Sequence, residues 1–157
     1  GVGVWVLGPH DDLYPKSIVD RLGFERAPVL FGYGNTDRLN GKTTSVHLGD
    51  NKLTRSEQMG EHIGALLAVH GETVLVNIDR IQAVSVLKGV LNRDGWGIGI
   101  GVDDLIKNGS SHYYRDGVMN NSLTLLSLTP PNGGGGAGLY DVDEMIASLS
   151  ENHLRFT

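Results

Sequence analysis

The 157-residue sequence contains no cysteine. Disulfide bonds, thiolate nucleophiles and cysteine-ligated metals are therefore excluded, although this absence leaves the compartment open. There is also no basic run, no signal peptide and no apolar run long enough to cross a bilayer. Because the formal net charge is -5, we expect no binding to nucleic acid and no contact with a membrane. A cytoplasmic location is expected.

The composition, 39% hydrophobic and 20% charged, is typical of a globular protein, and the length predicts a single domain over residues 1–157. Apolar runs and turn signals predict an α+β fold with a mixed β-sheet and three or four helices. The predicted strands are 2–7, 28–34, 43–48, 73–78, 96–102 and 122–128. The predicted helices are 16–24, one that begins near Thr54, one that begins near Asp79, and one that begins at Asp141.

A glycine-rich segment from Gly34 to Thr43 resembles a phosphate-binding loop. Six residues separate Gly34 from the Gly41-Lys42 pair, and a strand-like run follows instead of a helix. The backbone N–H groups could not form the required cradle, so we reject this interpretation. A hairpin loop that leads into strand 43–48 is predicted instead.

The helix near Thr54 places a serine where a nucleophile could be activated. Thr54 and Glu57 match a capping box, so Ser56 lies in the first turn, where backbone N–H groups are free. Small residues recur at every fourth position, namely Ser56, Gly60, Gly64 and Ala68. This spacing predicts a face on which another element approaches closely.

A lysine on the next helix is the candidate general base. Lys88 falls within the apolar stripe of Ile81, Val84 and Leu91. No carboxylate lies three or four positions away on its own helix. Desolvation would then favour the neutral amine, which could accept the proton of a serine hydroxyl. The alternative is that Lys88 reaches water from the edge of the stripe and Ser56 merely starts a helix.

The order of these elements resembles the proteolytic domain of the Lon family, and most closely the birnavirus polyprotein-processing proteases. The resemblance covers residues 43–150 and leaves 1–42 unmatched. It rests on SVHL at 45–48, the helix that follows Ser56, Leu87-Lys88 with Leu91, and GWGIGIGVDD at 95–104.

The resemblance implies a serine endopeptidase with a Ser–Lys dyad that processes a viral polyprotein in the host cytoplasm. The implied catalytic residues are Ser56, Lys88 and Thr73, the last of which would hold the lysine amine. Ser45 is the alternative nucleophile. The implied partner is a peptide or polyprotein substrate, without a cofactor or metal. The glycines at 95–101 would leave one strand face bare for a substrate strand to join by β-addition.

Two other functional classes stay open. A fold does not secure a function, so the chain could be a non-catalytic binding or structural domain. A metal-dependent hydrolase is the third class, and it would require His10, Asp11, Asp12 and His47 to converge.

Overall fold

The computed structural model describes residues 3–49, 57–80, 82–101, 112–129 and 141–156, and the structural statements below refer to these residues. The strands are β1 Val4–Leu7, β2 Leu30–Tyr33, β3 Thr43–Leu48, β4 Thr73–Asn77, β5 Trp96–Gly101, β6 Leu123–Ser127 and β7 Asn152–Phe156. The helices are α1 Lys16–Leu22, α2 Glu57–Val69, α3 Ala83–Asn92, α4 His112–Met119 and α5 Val142–Leu149.

All seven strands form one sheet in the order β1-β2-β6-β5-β4-β3-β7. The five strands β6, β5, β4, β3 and β7 are parallel to one another. The strand β2 is antiparallel to both β1 and β6. The chain runs outward from β3 to β6 and then returns to place β7 on the other side of β3. This order defines a topological switch point between β3 and β7.

Helices cover both faces of the sheet, and each face has its own apolar core. Residues from α2, α3 and α4 pack with alternate strand residues such as Val74 and Val76. Residues from α1 and α5 pack on the opposite side with Leu75, which lies between those two valines. The alternation follows from the two-residue period of a strand. We call the two sides the α2 face and the α5 face.

The fold is therefore a single-domain α/β fold of Rossmann type. The predicted mixed sheet is confirmed, whereas the α+β class is wrong because strands and helices alternate through β3–β7. Strands from 1–42 and from 43–157 share the sheet. The predicted hairpin before residue 43 is also wrong, since β2 pairs with β1 and β6 and β3 pairs with β4 and β7. Among the described helices, none has the length and apolarity needed to span a bilayer.

The glycine-rich strand β5 lies in the middle of the sheet. It is hydrogen-bonded to β4 on one edge and β6 on the other, so no substrate strand can join it. Its glycine face is covered, because a Cβ at Gly97 would lie 2.7 Å from Leu87 and one at Gly99 would lie 3.1 Å from Ile78. The prediction of β-addition at this strand is wrong. The glycines instead let Leu87 of α3 and Ile78, which follows β4, pack directly on the backbone of β5.

The small-residue face of α2 packs directly against α3, as predicted. A Cβ added at Gly64 would lie 2.1 Å from the carbonyl oxygen of Val86, and one at Gly89 would lie 2.0 Å from that of Glu61. The two helix backbones therefore touch. Thr54 and Ser56, which the sequence places at the start of this helix, lie outside the described residues.

Candidate functional site

A groove runs along the α5 face at the β3–β7 switch point. Its polar lining consists of Ser45, His47, Asn77, Asp143, His153 and Arg155, and its volume is about 200 Å³. In the pairing of β3 with β7, Ser45 lies opposite His153 and His47 lies opposite Arg155. Residues opposite each other in neighbouring strands share a face. The pairing therefore puts two histidines and an arginine side by side, and we call this surface the β7 groove.

Two serine hydroxyls hold the ring of His153. The Nδ1 atom lies 2.9 Å from Ser45 Oγ and 3.0 Å from Ser150 Oγ. Each hydroxyl also has a backbone carbonyl that can accept its own proton, namely Asn152 O at 3.4 Å and Ile146 O at 2.5 Å. We therefore assign a proton to Nδ1, which donates to the two hydroxyl oxygens.

The acidic member of the groove is already compensated. Asp143, at the start of α5, lies 3.9 Å from Nη2 of Arg80, which follows β4. The Nε atom of Arg80 is buried and has no hydrogen-bond partner in the part of the chain that the structure describes. Arg155 is exposed in the same groove. The groove therefore presents one exposed arginine and two histidines beside an ion-paired carboxylate, although the whole chain carries -5.

The carboxyl ends of the strands bring Asn77 into this groove. Its Oδ1 accepts a hydrogen bond of 2.9 Å from the N–H of Asp79, which turns the chain as β4 ends. Ligands of open α/β sheets bind outside the carboxyl ends of the strands, next to a switch point. The β7 groove satisfies this rule, since α5 begins at that end of the sheet.

Burial shifts the pKa of one group outside the groove. Tyr114, on α4, is packed into the core of the α2 face. Desolvation by burial raises its pKa from 10.0 to about 12. This tyrosine is a structural group and takes no part in the groove.

The predicted surroundings of Lys88 are wrong. Its side chain is 43% exposed, and its Nζ forms an ion pair of 3.2 Å with Oε1 of Glu61. The carboxylate belongs to α2, which the glycines bring close to α3. The positions three and four residues from Lys88 on its own helix therefore could not predict this partner. Lys88 thus has the carboxylate partner that the prediction required it to lack.

Thr73 and the alternative nucleophile Ser45 are not brought to Lys88. Thr73 precedes Val74 in β4 and lies on the α5 face, whereas α3 covers the α2 face. Ser45 is also on the α5 face, where it contacts His153. Ser56 lies outside the described residues, and its role stays a prediction.

The metal-binding alternative finds no support in the described residues. No three His, Asp or Glu side chains of these segments are placed so that they could hold a metal ion. His10, Asp11 and Asp12 line a cavity beside α1, whereas His47 lies in the β7 groove. Asp11 instead accepts a hydrogen bond of 2.6 Å from the N–H of Gly8.

The sequence interpretation missed most of the β7 groove. It considered His47 only as a metal ligand and did not predict the strand that carries His153 and Arg155. The alternation in Asn152–Phe156, with Leu154 and Phe156 two residues apart, was the available signal. Pairing with β3 could not be read from it, because that pairing joins distant segments.

The three-layer arrangement, with a mostly parallel sheet and a polar groove at its switch point, belongs to the Rossmann-type class. No protein-family model matches the chain, and no curated protein sequence matches it. Among solved structures, it is similar to DNA processing protein A (DprA) from Streptococcus pneumoniae, with a TM-score of 0.75 and 18% sequence identity. The match covers 96% of this chain and 53% of that chain, so this chain spans about half of its length. At this identity, the likeness establishes the fold.

This finding corrects the protease interpretation. The structural neighbour is a DNA-processing protein, so the resemblance to Lon and birnavirus proteases is wrong. The function drawn from that resemblance, a Ser–Lys endopeptidase that processes a viral polyprotein, is contradicted with it. The expected partners are contradicted as well, both the peptide substrate and the absence of nucleic acid.

Proposed function

We propose that the chain is a DNA-binding module and that the β7 groove contacts the phosphates of a single strand. The observation that carries the proposal is the groove itself. Arg155, His47 and His153 are concentrated at the switch point of a Rossmann-type sheet, in a chain whose net charge is negative. The neighbour in fold, DprA, is by its name a DNA-processing protein.

The chemistry of the groove suits a phosphate. An arginine donates two parallel hydrogen bonds to phosphate oxygens, and an imidazole N–H can donate a third. Arg80 neutralises the one carboxylate of the groove, so a phosphate meets little repulsion there.

The size of the groove favours a backbone contact over an enclosed small ligand. Pockets for small molecules usually measure about 300–1,000 Å³. The β7 groove, at about 200 Å³, is smaller. A strand that lies along its surface requires no deep cavity, because phosphates are contacted from one side.

The negative charge of the whole chain limits the affinity. Few phosphates are neutralised by such a small groove, so the affinity falls with salt at a logarithmic slope of only about −1 to −2. Strong binding at physiological salt is not part of the proposal.

The test measures fluorescence anisotropy of a labelled single-stranded oligonucleotide at low salt. Arg155→Ala should weaken binding by roughly tenfold and make the salt slope shallower, because one phosphate contact is lost. Arg93→Ala is the matched control: it removes the same charge from the exposed end of α3, outside the groove. Equal effects of the two substitutions would show that only net charge matters and would refute the groove as the site.

Two finer expectations accompany this proposal. Residues 1–157 act as one domain, since a binding groove built from β3, β4, β7 and α5 requires the whole sheet to be in place. The cytoplasmic location expected from the sequence is kept as part of this proposal, and the viral host cell is dropped.

A further inference from the structure

A second surface, on the other side of α1, has features that phosphate binding does not explain. The rings of His10 and Phe24 are stacked, with centroids 4.5 Å apart and planes 7° from parallel. Phe24 is nevertheless 53% exposed. Burial in the core does not account for this ring, because half of its surface faces solvent. The histidine holds it in a fixed orientation.

The stacked pair borders a cavity between the turn after β1 and helix α1. The cavity has a volume of about 520 Å³, and Tyr14, Lys16 and Val19 contribute to its wall. This volume lies within the range of small-molecule sites, about 300–1,000 Å³. It is large enough to admit a planar heterocycle beside the ring of Phe24.

The charges of the cavity select what can enter. Three carboxylates, those of Asp11, Asp12 and Asp20, line it together with one lysine, Lys16. Carboxylates repel a phosphate, but they accept hydrogen bonds from the amino groups of nucleobases such as cytosine. The cavity therefore suits a base and not the backbone that carries it.

The first turn of α5 makes two ion pairs, one with the segment after the stacked pair and one beside the β7 groove. Arg26, two residues after Phe24, contacts Glu144 at 3.1 Å in the first turn of α5. The neighbouring Asp143 contacts Arg80 and lines the β7 groove. Glu144 and Asp143, both in the first turn of α5, therefore each have an arginine partner.

We propose that the exposed ring of Phe24, backed by His10, stacks a nucleobase of a single strand whose phosphates contact the β7 groove. The inference rests on the proposed DNA binding and names its substrate class. That class is single-stranded DNA, in which unpaired bases can unstack from one another. Aromatic stacking of this kind tolerates any base and adds affinity without adding salt dependence.

The experiment compares three substitutions at one position. The probe is a labelled oligo-deoxycytidine of about 12 nucleotides, within the usual site size of single-strand binders. Phe24→Ala should weaken binding by about 5- to 100-fold with an unchanged salt slope, because a stack and no phosphate contact is lost. Phe24→Tyr should keep the affinity within about twofold, since its ring still stacks. Phe24→Leu, which is apolar but not aromatic, should behave like Phe24→Ala.

A second measurement leaves the protein unchanged. The same oligonucleotide with abasic sites keeps every phosphate but lacks bases, and the wild-type chain should bind it as weakly as Phe24→Ala binds the intact strand. The Phe24→Ala variant should bind the abasic strand and the intact strand with the same affinity. Leu66→Ala, at an exposed leucine of α2 on the other face, is the control for loss of surface apolar area.

The outcomes separate the two proposals. If Arg155→Ala weakens binding while Phe24→Ala and the abasic strand do not, the stacking site is refuted and DNA binding stands. Equal affinities for Phe24→Leu and Phe24→Tyr would also refute stacking. If the wild-type chain binds no single strand at low salt, both proposals are overturned.

Discussion

Replacing Gly64 with alanine tests the contact between α2 and α3. The added Cβ would lie 2.1 Å from the carbonyl oxygen of Val86 and 3.0 Å from the backbone nitrogen of Val90. Ordinary contacts of a Cβ atom begin at about 3.4 Å. Both obstacles are backbone atoms that no rotamer change can move, so the helices must separate by about 1 Å.

The magnitude follows from two opposing terms. Overpacking of this kind costs about 1–3 kcal/mol, whereas alanine in place of glycine inside a helix stabilises by about 1 kcal/mol. The close approach puts the cost at the upper end of its range. We therefore expect Gly64→Ala to lower the free energy of unfolding by about 1–2 kcal/mol and the midpoint temperature by roughly 2–8 °C.

Denaturant unfolding followed by circular dichroism measures this change, with Gln58→Ala, at an exposed position of α2, as the control that should stay within about 0.5 kcal/mol. At Gly60 the obstacle is a side chain, Ser85 Oγ at 2.0 Å. Ser85→Gly should therefore relieve Gly60→Ala in a double-mutant cycle. A stabilisation of about 1 kcal/mol by Gly64→Ala would show that the two helices are not in backbone contact and would refute the reasoning.

Two further predictions concern charged and titrating groups. Lys88→Ala should lower the free energy of unfolding by less than about 1 kcal/mol, because its ion pair with Glu61 is 43% and 35% exposed and screened by water; a loss above about 2 kcal/mol in urea unfolding would contradict this assignment. Tyr114 has its pKa raised to about 12 in the folded state. The unfolded state loses the phenol proton near pH 10 and the folded state only near pH 12. The free energy of unfolding is therefore unchanged by this group below pH 10 and falls as pH rises towards 12, by at most about 2 kcal/mol. Unfolding curves between pH 9 and about 12 should show this loss, and a stability that stays constant over that range would disprove it.

The local elements were largely predictable from the sequence. Short apolar runs bounded by glycine and proline predicted six strands, and each has a counterpart among β1–β6. Asp141 was predicted to start a helix, and its side chain accepts a hydrogen bond of 2.9 Å from the N–H of Asp143. The contact at Gly60 and Gly64 was predicted from spacing alone, because a four-residue period places both on one side of a helix.

The order of the strands could not be predicted in the same way. β7 contains only Leu154 and Phe156 as apolar residues, so it lacks the run that identified the buried strands. It contacts β3, more than a hundred positions earlier, and no local pattern records such a pairing. The β7 groove was missed for this reason, since half of its polar lining comes from β7 and α5.

The predicted contact between Thr73 and Lys88 was wrong for a related reason. A succession of strand, helix, strand and helix occurs in many α/β and α+β folds, so the order of elements does not determine which residues meet. In this chain Thr73 lies on the α5 face while Lys88 lies on a helix of the α2 face, and the sheet separates them. Had the strand order been known, the two-residue alternation around Val74 would have excluded a contact between Thr73 and Lys88. The same alternation places His153 and Arg155 together on the α5 face, so one rule separates Thr73 from Lys88 and assembles the groove.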